Sequence, residues 1–175
     1  MIIHCTQKLA SKLPEVSTLP LVETSHLGSW HAHLYTYDRR QCVMFCHDES
    51  RYVLFLPGLV KANFSDLGRL HRELFLASLA AQGVKDALIG RVAMTLGPVQ
   101  FDRHTDRSVL GTLRVADMDL SWQLPDDSNI MECDPLSLSL LLNERPLTVR
   151  GRWLWAKKEM LALIERLGSS EGHHP

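Results

Sequence analysis

A chain of 175 residues, 45% apolar and 22% charged, has the composition of one ordinary globular domain, and a net charge of -1 gives no overall pull toward nucleic acid or acidic lipid. No apolar run approaches the ~20 residues of a membrane span, and the N-terminal MIIHCTQKLASKL lacks the charged lead and apolar stretch of a signal peptide. Cys5, Cys42, Cys46 and Cys133 show no CxxC and no disulfide-framework spacing, so reduced thiols, a cytoplasmic location and no membrane partner are expected.

Ile2 to Cys5 reads as a short strand. Thr6 is placed to cap a short helix carrying Leu9 and Leu13, which Pro14 and Pro20 end. Trp30–Tyr37, Gln41–His47 and Arg51–Leu56 are rich in aromatic and β-branched residues, and only Asp38-Arg39-Arg40 and Asp48-Glu49-Ser50 separate them. Connections that short make the three strands antiparallel neighbours. Pairing Tyr37 with Gln41 sets His31 opposite His47 and Leu34 opposite Met44. Trp30, Ala32 and Leu34 then share a face with Met44 and Cys46, while His31, His33, Tyr35, Val43, Phe45 and His47 take the other, joined by Arg51. Strands this apolar are covered on both sides, so helices must pack on each face.

After Pro57-Gly58, Ser65 is expected to cap a helix with Leu67, Leu70, Leu74, Ala77 and Ala81 on one side, stopped by Gly83. A second helix over 85–96 ends at Gly97-Pro98, and Val99–Arg103 reads as a short strand at the sheet edge. Thr105 is expected to cap the next helix, whose apolar positions are Val109, Leu113, Ala116, Leu120 and Leu124. Gly111 is expected to let that helix approach the sheet closely. Residues 125–129 are a loop by composition, and Asp134-Pro135 opens a short helix to Asn143. LTVRGRWLW reads as irregular or extended. A last helix carrying Met160, Leu161, Ile164 and Leu167 ends at Gly168. The result is a single α+β domain over 1–168, with a mainly antiparallel sheet centred on the 29–56 meander, five or six packing helices and a disordered tail at 169–175.

HCTQKLASKL, SWHAHLYTYDRRQCVMFCHDESRYVLFL and DRSVLGTL together resemble an uncharacterised bacterial domain family. That family occurs alone or at the front of proteins like the third open reading frame of an Ri plasmid. The resemblance implies a link to plasmids or mobile elements but no activity. Gln7, His33 and Asp38 depart from the family pattern of Lys, Asn and Asn, which speaks against His31 and His33 as an obligatory ligand pair.

Three constellations carry chemistry. His31, His33 and His47 would suit zinc if their rings converged, but Phe45 competes for the space, so no metal and no cofactor are expected. His31 and His47 beside Arg51 would suit metal-free phosphodiester hydrolysis, with imidazoles as acid and base and the guanidinium on the phosphorane. The bland alternative for all three histidines is a covered, hydrogen-bonded sheet face. Arg39 and Arg40 at a hairpin tip, with Arg150, Arg152, Trp153, Trp155, Lys157 and Lys158 near the C-terminus, suit phosphate contact and base stacking. Buried tryptophans with solvated cations are the bland alternative there. The reading that follows is a non-catalytic binding module for a protein or nucleic-acid partner. The alternative is a small ribonuclease-like hydrolase acting through His31, His47 and Arg51.

Overall fold

The computed structural model describes residues 1–124 and 128–169. Most of the expected loop at 125–129 and of the tail at 169–175 lies outside the described residues. Strands β1 (Ile2–Cys5), β2 (Trp30–Tyr37), β3 (Arg40–His47), β4 (Val53–Leu59) and β5 (Gln100–Asp102) form one sheet in the order β4-β3-β2-β1-β5. The meander β2-β3-β4 is antiparallel. β1 joins β2 and β5 in parallel, because the longer connections through helix α1 (Gln7–Ala10) and beyond can cross over where tight turns cannot. The sheet is therefore mixed.

The register of the first hairpin differs by one residue from the sequence expectation. Tyr37 pairs with Arg40, because the turn is only Asp38-Arg39, at φ 49° and 64°. A two-residue turn with both φ positive matches the right-handed strand twist. A single-residue slip moves every partner to the other face. Trp30, Ala32 and Leu34 thus pair with His47, Phe45 and Val43, while His31, His33 and Tyr35 pair with Cys46, Met44 and Cys42.

Each face has its own helical cover. Trp30, Ala32, Leu34, Val43, Phe45 and Leu54 pack under α3 (Leu67–Ala81), α4 (Asp86–Leu96) and α7 (Ala156–Ser169), through side chains such as Leu74, Phe75, Val92, Met160 and Ile164. Cys42, Met44, Cys46, Val53 and Phe55 pack under α5 (Arg107–Gln123), through Val109, Leu113, Ala116 and Leu120, and under α6 (Pro135–Leu142). A short α2 (Lys61–Ser65) precedes α3.

Two helix starts fall one residue later than expected. Ser65 closes α2 and Asp66 opens α3, while Asp106 rather than Thr105 caps α5, its carboxylate accepting from Ser108 and Val109 N–H. Asp134 caps α6 with Pro135 at its first position, as expected. The LTVRGRWLW stretch becomes a hairpin of β6 (Pro146–Val149) and β7 (Arg152–Trp155), turning at Arg150 and Gly151, both at positive φ.

β4 is an edge strand, and α6 closes it with side chains. Buried Asn143 accepts from Val53 N–H at 2.8 Å and donates to Val53 C=O at 2.7 Å, while Ser139 Oγ accepts from Phe55 N–H at 2.9 Å. An edge strand's unpaired amides are otherwise a template for aggregation. Asn143→Leu should lower the unfolding free energy by about 2–4 kcal/mol, because both Val53 groups lose their partner in a dry site. Urea denaturation measures it.

His71 on α3 is a costly group in the core. It is fully buried against Trp30, Phe45 and Phe75, and neither ring nitrogen has a hydrogen-bond partner. Burial, with a smaller contribution from nearby His47, pulls its pKa down from 6.5 to about 3. The unfolded chain takes up a proton below 6.5 that the folded ring refuses, so this residue costs stability increasingly as pH falls from 6.5 toward 3. His71→Leu should therefore flatten the decline in unfolding free energy between those values, as read from denaturation curves across pH.

Candidate functional site

The expected trio of His31, His47 and Arg51 does not assemble. His47 lies on the opposite face from His31, fully buried, donating through Nε2 to Leu27 C=O at 2.5 Å while Nδ1 accepts from Ser50 N–H. Both ring nitrogens are used, and burial lowers its pKa. The same separation breaks the three-imidazole zinc set. His33 stays on the His31 face and hydrogen-bonds Thr6 Oγ1 through Nδ1 at 2.7 Å.

His31 is itself a structural link. Nε2 accepts from the Asp106 backbone N–H at 2.7 Å, so that nitrogen carries no proton, and Nδ1–H donates to Asp48 Oδ1 at 2.7 Å. One imidazole thereby ties the start of α5 to the β3–β4 turn. Burial works against the Asp48 charge, but hydrogen bonds from His31 and Ser29 outweigh it and hold its carboxyl below the ordinary range.

The sheet register places Asp102, His4, His31 and Cys46 in one row across β5, β1, β2 and β3. His4 Nδ1 meets Asp102 Oδ1 at 2.6 Å, and the fully buried Asp102 also accepts from Leu21 and His104 N–H. Those bonds overcome burial and keep Asp102 below the usual carboxylate range. A carboxylate–imidazole pair can orient a general base. Here the neighbouring Thr6 hydroxyl is committed to His33, and neither His4 nor Asp102 lines any of three cavities of about 500–600 Å³. No local pattern in the sequence signals this pair, whose members lie 98 residues apart.

A cavity of about 500 Å³ lies between α5 and the β6–β7 hairpin. Arg51, which the backbone holds at φ 62°, enters it from the sheet and is 6% exposed. Nη2 donates to Ser108 Oγ at 3.1 Å and Nη1 to Thr112 Oγ1 at 3.5 Å, whereas Nε is buried without a partner. Gly111 lines the same space. A Cβ there would meet nothing within 4 Å, so this glycine does not bring α5 against the sheet as expected but leaves the cavity open.

The basic and aromatic residues of the sequence reading divide between two ends of the sheet. Arg39 and Arg40 sit at the β2–β3 turn, about 25 Å along β3 from the β3–β4 turn that carries Arg51. Arg150, Arg152, Trp153 and Trp155 form the β6–β7 hairpin beside the cavity, and Lys157 and Lys158 follow at the start of α7. The tryptophans are not buried: Trp153 is 75% and Trp155 is 41% exposed, with the Lys158 ammonium 5.2 Å from the Trp155 ring. Arg150 and Arg152 form no ion pair among the described residues, while Lys157 pairs with Glu144 at 2.6 Å. Trp122 on α5, 86% exposed, adds an aromatic outside the basic run.

Fold and surface define an α+β domain with a basic, aromatic hairpin set over a cavity that has charged and apolar walls. The chain belongs to the family described as "Domain of unknown function (DUF6933)", which matches residues 2–159. No curated protein matches it.

His31→Leu should release both partners of the imidazole. It should cost about 2–4 kcal/mol of unfolding free energy, because the Asp106 N–H and the Asp48 carboxylate lose their bonds. It should also return the Asp48 carboxyl toward its ordinary titration range, followed by carboxyl-carbon NMR. In the unaltered protein the stability that Asp48 contributes is complete above the ordinary carboxylate value, 3.8, and is lost as pH falls through its lower folded value.

Proposed function

We propose that this domain is a non-catalytic binding module that takes single-stranded nucleic acid along the β6–β7 hairpin. The observation that carries the reading is the exposure of Trp153 and Trp155 on a hairpin whose Arg150 and Arg152 form no ion pair among the described residues. Large exposed aromatics are costly to keep in water, and a base stacked on each removes that cost. The cations beside them meet the phosphates, and Lys158 over Trp155 strengthens the stacking surface. A net charge of -1 confines the attraction to this patch, so affinity is modest and strongly salt-dependent. Arg39 and Arg40 belong to a different surface in this reading. A hydrolase built on His31 and His47 is not favoured, since the sheet lies between the two rings.

The resemblance to a domain found in bacteria, alone or at the front of plasmid-borne proteins, supports a cytoplasmic role near mobile DNA. No helix among the described residues is long and apolar enough to cross a membrane.

Fluorescence anisotropy with a labelled single-stranded oligonucleotide tests the proposal. Binding should weaken as salt rises, and Trp153→Ala should cost about 1–3 kcal/mol, roughly fivefold to 150-fold in affinity. Absence of binding at low salt would instead favour a protein partner for the same hairpin.

A further inference from the structure

Burying an arginine is expensive unless its charge is answered. Arg51 is nine-tenths buried, yet among the described residues no carboxylate pairs with it. Its donors meet only two neutral hydroxyls, and Nε meets nothing. On its other side Arg51 shares a second cavity with Asp48, Glu49, Asp106 and Glu159, none of which forms an ion pair with it, and Glu49 pairs with Arg166. Asp48 is held by His31 and Ser29, Asp106 caps α5, and Asp119, which also lines the cavity, pairs with Arg145. Arg150, which forms no ion pair among the described residues although its charge reaches Asp106, adds a second guanidinium to the cavity wall. The space thus carries two positive charges in excess of its carboxylates, together with the Ser108 and Thr112 hydroxyls.

The rest of the wall has a different character. Val115, Leu142, Leu147 and Trp153 present apolar and flat surface to the same volume. About 500 Å³ is ample for a ligand of several rings. One wall suits a multivalent anion and the other a planar, weakly polar group. Gly111 keeps the passage between them clear.

We propose that this cavity binds a nucleoside phosphate, with the phosphoryl group on Arg51 and Arg150 and the base against Trp153. The assignment deepens the nucleic-acid reading by giving the hairpin a phosphate-anchoring subsite. The same chemistry is offered by a free nucleotide and by the terminal phosphate of a strand. Fork-shaped guanidinium donors bind phosphate oxygens in pairs, so the phosphoryl group carries most of the affinity.

Calorimetry on the full chain tests this with nucleoside monophosphates, the matching nucleosides, and short single strands with and without a 5′ phosphate. A phosphorylated ligand should bind at least about tenfold more tightly than its unphosphorylated counterpart. Preference for the monophosphate identifies a free nucleotide, and preference for the 5′-phosphorylated strand identifies a strand end. Gly111→Leu fills the cavity with no steric conflict at its Cβ and improves helix propensity, so its melting temperature should not fall. That variant should abolish the phosphate preference. Arg51→Gln should lower affinity by an order of magnitude or more for phosphorylated ligands alone. The proposal is overturned if phosphorylation makes no difference, or if Gly111→Leu binds every ligand as the unaltered protein does. If Gly111→Leu keeps its affinity for unphosphorylated strands while Trp153→Ala loses it, the hairpin reading stands independently of the subsite.

Discussion

The two residues Asp38 and Arg39 close the β2–β3 hairpin with both backbones in the left-handed region, and the layering of the molecule depends on that geometry. With a two-residue turn, Trp30 and Phe45 fall on the α3 side together with His47, and His31 falls on the α5 side with Cys46 and Met44. A non-glycine residue at positive φ is held at some energetic cost. Here the pairing of eight consecutive positions outweighs it, since any slip would carry Trp30 and Phe45 out of one core and His31 out of its bonds.

Once the faces are set, side chains bind the layers more specifically than apolar contact does. Asn143 and Ser139 replace the missing neighbour of β4 with an amide and a hydroxyl, so α6 acts as a surrogate strand. His31 spans the β3–β4 turn and the α5 start. Asp102 gathers β5, β1 and the Leu21 segment through three donors. Each link satisfies polar groups that would be costly to bury unpaired, and each holds only one relative position of its elements.

Arg51 and His71 break that pattern in different ways. His71 sits in a sealed aromatic core, where a neutral ring merely tolerates its surroundings. Arg51 cannot become neutral, and it faces a cavity flanked by a hairpin with exposed tryptophans. Local rules yield at functional sites more often than elsewhere, and this end of the sheet carries several departures. Arg51 and Arg150 both lie at positive φ, Gly111 leaves space on a helix, and Trp153 stands in water.

The sequence by itself determined the elements. The antiparallel meander, the helices over 67–81 and 86–96, the α5 stripe from Val109 to Leu120, and the Asp134-Pro135 helix start are all present, because periodicity and capping chemistry are local. It also marked Arg150, Arg152, Trp153 and Trp155 as a cationic and aromatic run, though not that the rings are exposed. The tertiary structure alone decided which face each strand residue occupies. Three punctuating residues, Asp38-Arg39-Arg40, do not reveal that the third is already in the strand. It alone separated His31 from His47 and brought His4 to Asp102. It alone set Arg51 between Ser108 and Thr112, across 57 and 61 residues of chain. Contacts at such separations arise when layers pack, and no short window of sequence contains both partners.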